Sequence, residues 1–345
     1  MAPLVSVIIV NHNGIVFVDG CLKSVFAGNY PALEVIFVDN GSTDSSLEFV
    51  KNNFASDSRL KIVENKASLG PAVGRNRGAA VAAGKYLFFL DNDTKIDKNC
   101  VGELVDALEN NISIGAAQAK LLKMDSGGLY DCAGDYLGPL GFLIERAQGA
   151  KDNGQFDFIS DILSAKSAAS IIRKGLFDQI GGFDESYYMY LEETDLSWRV
   201  WLAGYRVVFI PGAVVQHAFN TPKKEFKRYY TKYIVRYFGC RNYITTLIKN
   251  LQPGNLLKIL PLHVACWLAL ALLFIIKLSP MDSLYILKGI GWNILHIGSI
   301  LNKKARISRD IRKKTDSQIL PKIMDKRKIN YYFGKGFAYL TGRSY

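Results

Sequence analysis

The sequence predicts an α/β domain, a mostly parallel sheet with helices on both faces, followed by an α-helical, membrane-associated region. Three observations carry that expectation. Short apolar runs alternate with helical patterns through the first part of the chain, as strands joined by crossover helices do. The polar residues Asn11, Asp39 and Asp91 each end one of those runs, and ligands of open α/β sheets sit beyond the carboxyl ends of the strands. The charge is split: residues 1–221 carry 19 basic and 26 acidic side chains, whereas residues 222–345 carry 24 basic and 5 acidic. Two jobs are therefore expected, one for residues 1–221 and another for residues 222–345.

The elements follow in order. VSVIIV (5–10) reads as a buried strand, with a helical stretch near 17–27 behind it. LEVIFVDN (33–40) is a second strand, and Ser45 to Asn52 the next helix. KIVEN (61–65) is a third strand; the small-residue helix GRNRGAAVAAG (74–84) leads into strand YLFFL (86–90). Gly127, Gly128, Gly134, Gly138 and Gly141 mark an irregular middle. KSAASIIRKGLFDQIGGFDE (166–185) gives a strand, a short helix and a turn. A helix from about Glu193 stops near Gly204, and strand YRVVFI runs to Pro211.

The five cysteines show no CxxC or metal spacing and read as thiols of a reducing compartment. MAPLVSVIIV lacks a basic leader region, so the first domain is expected in the cytoplasm.

LFFLDNDT (87–94) raises the chemical question. Two acids bracketing Asn92 at a strand end concentrate negative charge, which is costly without a counter-charge. A solvated turn is one reading. A phosphatase-like nucleophile loop is disfavoured, because Thr94 follows Asp93 directly and the site lies far from the first strand. The third reading is a Mg²⁺ or Mn²⁺ site that also holds a diphosphate. A second constellation supports it: Glu192, Glu193 and Asp195 stand at a helix start, and His217 lies 24 residues beyond Glu193. Together they offer an acid to accept a proton and an imidazole to complete a metal shell.

Five blocks in order, VSVIIVNHNG, VIFVDNGSTDSS, GRNRGAAVAAGKYLFFLDNDT, IGGFDE and EETDLSWRVWLAGYRVVFIPGAVVQH, give the chain a family likeness over roughly residues 4–220. It resembles the family-2 inverting glycosyltransferases of the GT-A fold, of the rhamnosyltransferase-like type. The resemblance implies a nucleotide-diphosphate sugar donor and a divalent metal, Mn²⁺ or Mg²⁺. It implies donor contacts from Asn11, Asn13, Asp39, Asn40, Arg75, Asp91 and Asn92, with Asp39 toward the base and Arg75 toward the diphosphate or base. Asp93 resembles the direct metal ligand, Asp91 a partner near the ribose or a metal-bound water, and His217 a further ligand. Glu193 falls where the family places its base, with Glu192 the neighbouring alternative. Asp195, Trp198 and Arg199 complete a possible acceptor side. The chain departs from its relatives at VNHN and at Lys166.

Beyond Pro222 the chain turns basic and aromatic, as in FKRYYTKYIVRYFGCRNY (226–243). Apolar helices are expected near 256–278 and 284–301, flanked by net charges of +8 over 222–258 and +10 over 302–345. That pattern fits a hairpin dipping into or crossing a bilayer of anionic lipids from its cytoplasmic face better than it fits nucleic acid. A membrane-bound transferase facing the cytoplasm suggests a polyprenyl-linked glycan as acceptor. The nearest rival is a polyprenyl (dolichyl)-phosphate sugar synthase, against which the EETDLSWR block argues. A nucleotidyltransferase should show a Gly-rich loop where NHNG stands, and a non-catalytic membrane binder would not need the acids and His217 together.

Overall fold

The computed structural model of the chain describes residues 1–218, 232–325 and 327. The expected boundary at residue 221, the first part of the basic aromatic stretch and the last basic residues lie outside that range.

Strands β1 (Val5–Asn11), β2 (Leu33–Asn40), β3 (Leu60–Asn65) and β4 (Tyr86–Asp91) are joined by helices α1 (Ile15–Phe26), α2 (Ser46–Phe54) and α3 (Pro71–Ala80). Beyond them come β5 (Thr94–Ile96), α4 (Cys100–Asn110), β6 (Ile114–Lys123), β7 (Tyr130–Cys132), β8 (Asp135–Leu137), β9 (Leu143–Glu145) and β10 (Ser160–Asp161). Strand β11 (Ala169–Arg173), α5 (Lys174–Gln179), α6 (Glu192–Leu202) and β12 (Arg206–His217) complete the sheet domain. The strand order is β10-β12-β6-β11-β4-β1-β2-β3, with β5 on β12 and β7 on β6. β1, β2, β3 and β4 pair in parallel, as does β6 with β12. β11 enters antiparallel between β4 and β6.

Alternation along β1 builds the two layers. Val5, Val7 and Ile9 pack with Val18, Leu22 and Val25 of α1, while Ile8 faces Ala79 of α3 on the other side. Gly78 is what lets α3 approach: a Cβ there would lie 2.5 Å from Ile8 Cγ2. Two expectations are corrected. Helix α3 begins at Pro71 rather than residue 74, because proline suits the first helical position, and it stops at Ala80. Pro211 does not end its strand. β12 continues to His217 through a register shift between Ile210 and Val214, a bulge at which the missing N–H is tolerated.

The tail forms α7 (Lys232–Asn250), α8 (Pro253–Ile276), α9 (Pro280–Leu295), α10 (Ile297–Arg306) and α11 (Asp316–Ile323). The apolar stretch expected as one helix over 284–301 is two, bent by 62° at His296. Leu247 of α7 and Leu251 just beyond its end join the core beneath α6, while Cys240, Ile244, Trp267 and Ile286 form a smaller core within the tail.

Candidate active site

The register of the sheet gathers the acids. Asn11 pairs with Asp39 across β1 and β2, and Val10 with Asp91 across β1 and β4. Asn11 and Asp39 therefore share a row at the carboxyl edge, and Asp91 stands one residue back beside Val10. β5 then turns back so that Thr94 pairs with His217 of β12, and the Ala218 N–H donates to the Asp93 carbonyl at 2.9 Å. The pairing of Thr94 with His217 brings together residues 123 positions apart in the chain.

Asp91, Asp93 and His217 each offer a ligand atom within 4.8 Å of the others. His217 Nε2 stands 3.3 Å from Asp93 Oδ1, and Nδ1 is 2.9 Å from Asp131 Oδ2. A proton on Nδ1, donated to Asp131, fixes the ring and presents Nε2 as a ligand, the usual support for a metal-bound histidine. Burial opposes charge on this ring, yet hydrogen bonds to Asp131 and Asp93 outweigh it and push His217 up to about 10. Negative charge is thus in excess at this corner, and two carboxylates with an imidazole are a donor set that suits Mn²⁺ or Mg²⁺. Asp131 was not legible in the sequence; it comes from the glycine-rich middle, where no local pattern marks it.

The donor-side residues divide. Asn11 is fully buried: its amide donates to Asp39, Ser42 and Ser46, and its Oδ1 accepts from Asn92 at 2.6 Å. Gly14 leaves room for that last bond, since a Cβ would sit 2.0 Å from Asn92 Nδ2. Asp39 also accepts from the Ser42 N–H at 3.0 Å, so it holds its own turn. Asn13 Oδ1 accepts from the Thr43 and Asp44 N–H groups, and Asn40 ties β2 to Gly70, Asn65 and Leu69. These side chains shape the edge from within.

Arg75 lies at the centre rather than at the rim. It donates to Asp91 at 2.9 Å and to Glu192 at 2.9 Å, and so links the metal corner to the acids of α6. Glu192 is buried, and its second oxygen has no partner. Burial and the neighbouring Glu193 push its carboxyl up to about 8, against the opposing charge of Arg75. Glu193, one step around the helix, is only half-buried and lines a small cleft with Phe89, Ala165, Ser170 and Phe183. Lys166 and Asp135 lie within reach of its charge. Lys166 itself bridges Asp135 and Glu145 at 3.2 and 2.8 Å.

The other three acceptor-side candidates are placed elsewhere. Asp195, Trp198 and Arg199 are buried, and Asp195 pairs with Arg199 and with Lys249 of α7, both at 2.8 Å. Asp195 joins the sheet domain to its tail, Arg199 also donates to the Ile180 carbonyl at 2.7 Å, and all three side chains are buried.

Comparison with known proteins agrees with this architecture. The Glycosyl transferase family 2 profile matches residues 6–153, and that of Glycosyl transferase family group 2 matches residues 86–298. An uncharacterized glycosyltransferase of Haemophilus influenzae is 36% identical over 91 residues, 26% of this chain and 36% of that one. The poly-β-1,6-N-acetyl-D-glucosamine synthase of Staphylococcus epidermidis is 24% identical over 212 residues, 61% of this chain and 48% of that one. Over its best matches, the chain spans about a third of the length of its curated relatives. Two solved structures share the fold. TarS 1-349 of S. aureus with UDP-GlcNAc has a TM-score of 0.58 at 15% identity, covering 99% of this chain and 93% of that one. The mannosyltransferase PcManGT of Pyrobaculum calidifontis with GDP-Man and Mn²⁺ has a TM-score of 0.54 at 17% identity, covering 89% and 86%. The second profile covers more than half of the sequence, and the chain belongs to the family 2 glycosyltransferases.

Proposed function

We propose that the chain transfers a sugar, with inversion, from a nucleotide-diphosphate donor to a hydroxyl of a lipid-linked glycan during surface polysaccharide synthesis. The observation that carries this reading is the Asp91, Asp93 and His217 corner, braced by Asp131 and joined through Arg75 to the α6 acids. Asp93 and His217 would hold Mn²⁺ or Mg²⁺, with Asp91 beside them. Such an ion, when bound, neutralises charge on the departing diphosphate.

The protein's own groups do the rest. Arg75 keeps Asp91 oriented and anchors Glu192, whose raised carboxyl holds its proton near neutrality. Glu193 is then the acid placed to take the acceptor's proton as its oxygen attacks the anomeric carbon. UDP-GlcNAc and GDP-Man in the structural neighbours leave the donor base open, and a rhamnose donor is within this reading.

Turnover should be assayed as nucleoside diphosphate release from UDP-glucose, UDP-galactose, dTDP-rhamnose and GDP-mannose, with a polyprenyl-diphosphate-linked sugar as acceptor. Glu193→Gln should keep nucleotide binding and lose about 10²–10⁴ in rate. Near-normal turnover by that variant would move the base to Glu192 or Asp195, whereas transfer to polyprenyl phosphate alone would favour the rival polyprenyl-phosphate sugar synthase, whose acceptor needs no base.

The tail is proposed to seat the enzyme on the cytoplasmic face of an anionic membrane. α8 is the one described helix long and apolar enough to cross a bilayer, and only 22% of its apolar window is buried. Its midpoint is nevertheless tied to the sheet domain: His263 Nδ1 meets the Leu140 carbonyl at 2.8 Å, and its ring lies 4.1 Å from that of Phe142. From His263 to Ile276 only about 20 Å of helix remains, short of the roughly 30 Å of a hydrocarbon core. Insertion into one leaflet through Leu268, Leu272, Ile275, Leu278 and Leu295, all exposed, fits better than a span. Alkaline carbonate should release the protein from vesicles without detergent; retention in the pellet would restore the spanning arrangement.

A further inference from the structure

The turn that delivers Glu192 and Glu193 to the site is strained, and the tail holds it in place. Tyr188, Tyr190 and Leu191 have φ values of 63°, 66° and 64°, left-handed conformations for three bulky residues within four positions. Such geometry persists only where the surroundings over-determine it. Here they do. Asn242 of α7 directs its amide at three carbonyls of the turn, those of Tyr187, Met189 and Tyr190, at 3.1, 2.7 and 2.8 Å. Arg241 beside it donates to the Ser186 and Tyr187 carbonyls, both at 2.7 Å. One turn along the same face, Thr246 meets the Tyr187 hydroxyl at 2.8 Å. Both Asn242 and Thr246 are buried. From the opposite side Gly70 leaves space for the turn, since a Cβ there would stand 2.6 Å from the Tyr188 carbonyl.

We infer that Asn242 is a positioning residue: by fixing the left-handed Tyr188–Leu191 turn, it aims the Glu192–Glu193 pair and makes α7 part of the catalytic apparatus. This rests on the reading of Glu193 as the base. Within the turn the Met189 N–H also donates to the Tyr187 carbonyl at 2.8 Å, but the side-chain donations to the Met189 and Tyr190 carbonyls come from Asn242. Without that amide, the turn would relax toward right-handed backbone and rotate the first residues of α6, where an ångström of displacement matters.

The test uses the full chain with Asn242→Ala and the milder Asn242→Ser, and two independent readouts. Amide hydrogen exchange over residues 185–193 should rise about tenfold, reporting the turn directly. Turnover with the same four donors should fall about 10²-fold, while Mn²⁺-dependent binding of UDP, dTDP or GDP stays within about twofold of the parent. Ile244→Ala removes a buried side chain from the same helix without touching the turn, and should change neither readout in the folded fraction. Unchanged exchange, or raised exchange with intact turnover, would overturn the proposal. Equal loss of binding and turnover in the Asn242 and Ile244 variants would overturn it too, as a general folding defect. Glu193→Gln run alongside separates the two claims, since normal turnover there refutes the base assignment irrespective of the turn.

Discussion

Helix α6 carries acids into two neighbourhoods that treat them in opposite ways. At its start, Glu192 is linked through Arg75 to the corner of Asp91, Asp93 and His217, where carboxylates outnumber cations and Asp91 and Asp93 keep 34% and 23% of their side-chain surface exposed. One turn later, Asp195 is wholly buried, and Lys249, Arg199 and Asn250 neutralise or bond its oxygens. Asp184 nearby is served by Lys249 and Lys303, both at 2.6 Å. The acids are chemically alike; what differs is how completely the protein supplies the counter-charge. Where it does, the acid is a joint. Where the cations are fewer than the acids and the acids keep some exposure, there is room for a further cation.

Breaking the comparison on the open side should have the largest effect. Asp93→Ala removes a ligand from the corner and should lower turnover by roughly three powers of ten, the several kcal/mol expected of metal-assisted charge stabilisation. EDTA treatment of the parent, read in the same assay, should give the same loss. If the variant still responds to Mn²⁺ as the parent does, the corner is a solvated turn.

On the closed side the expected loss is in stability. Lys249→Ala strips a buried ammonium from Asp184 and Asp195, leaving each with a single cationic partner, and should cost about 3 kcal/mol in urea denaturation. A change below 1 kcal/mol would mean that Lys303 and Arg199 carry both acids alone.

The smallest effect is on pH. Burial opposes ionisation of Asp184, but the charges and hydrogen bonds of Lys249 and Lys303 prevail and hold its carboxyl well below the ordinary 3.8. A depressed folded value gives stability that is present above 3.8 and lost as pH falls below it. Thermal unfolding should therefore weaken below about pH 4, and Asp184→Asn should flatten that acid limb. An unchanged limb in the variant would move the acid sensitivity to another carboxylate.

The open corner was far more legible in the sequence than the closed joint. Strand runs ending in Asn11, Asp39 and Asp91 stated their own polarity, and continuous apolar runs alternating with crossover helices fixed where those ends must meet. DxD, the Glu pair and His217 could be read because each is unusual where it stands. Asp131 could not, because it matters only through a histidine 86 positions away. Nor could the roles of Asp195 and Lys249. Acids in a first helical turn look alike whether they face solvent, sugar or a lysine, and a lysine in a basic tail looks like a membrane contact. Arg241, Asn242, Thr246 and Lys249 do share one face of α7, yet only the folded tail shows that this face is turned inward.

The central claim is that LFFLDNDT forms a cation cradle for a nucleotide diphosphate. Its most direct test is calorimetric titration of the detergent-purified chain with UDP, dTDP and GDP, in Mn²⁺ and then in EDTA, for the parent and Asp93→Ala. The account predicts binding of at least one nucleotide that needs Mn²⁺ and disappears in the variant. Nucleotide binding that ignores both EDTA and the loss of Asp93, or no binding by a folded protein, would contradict it.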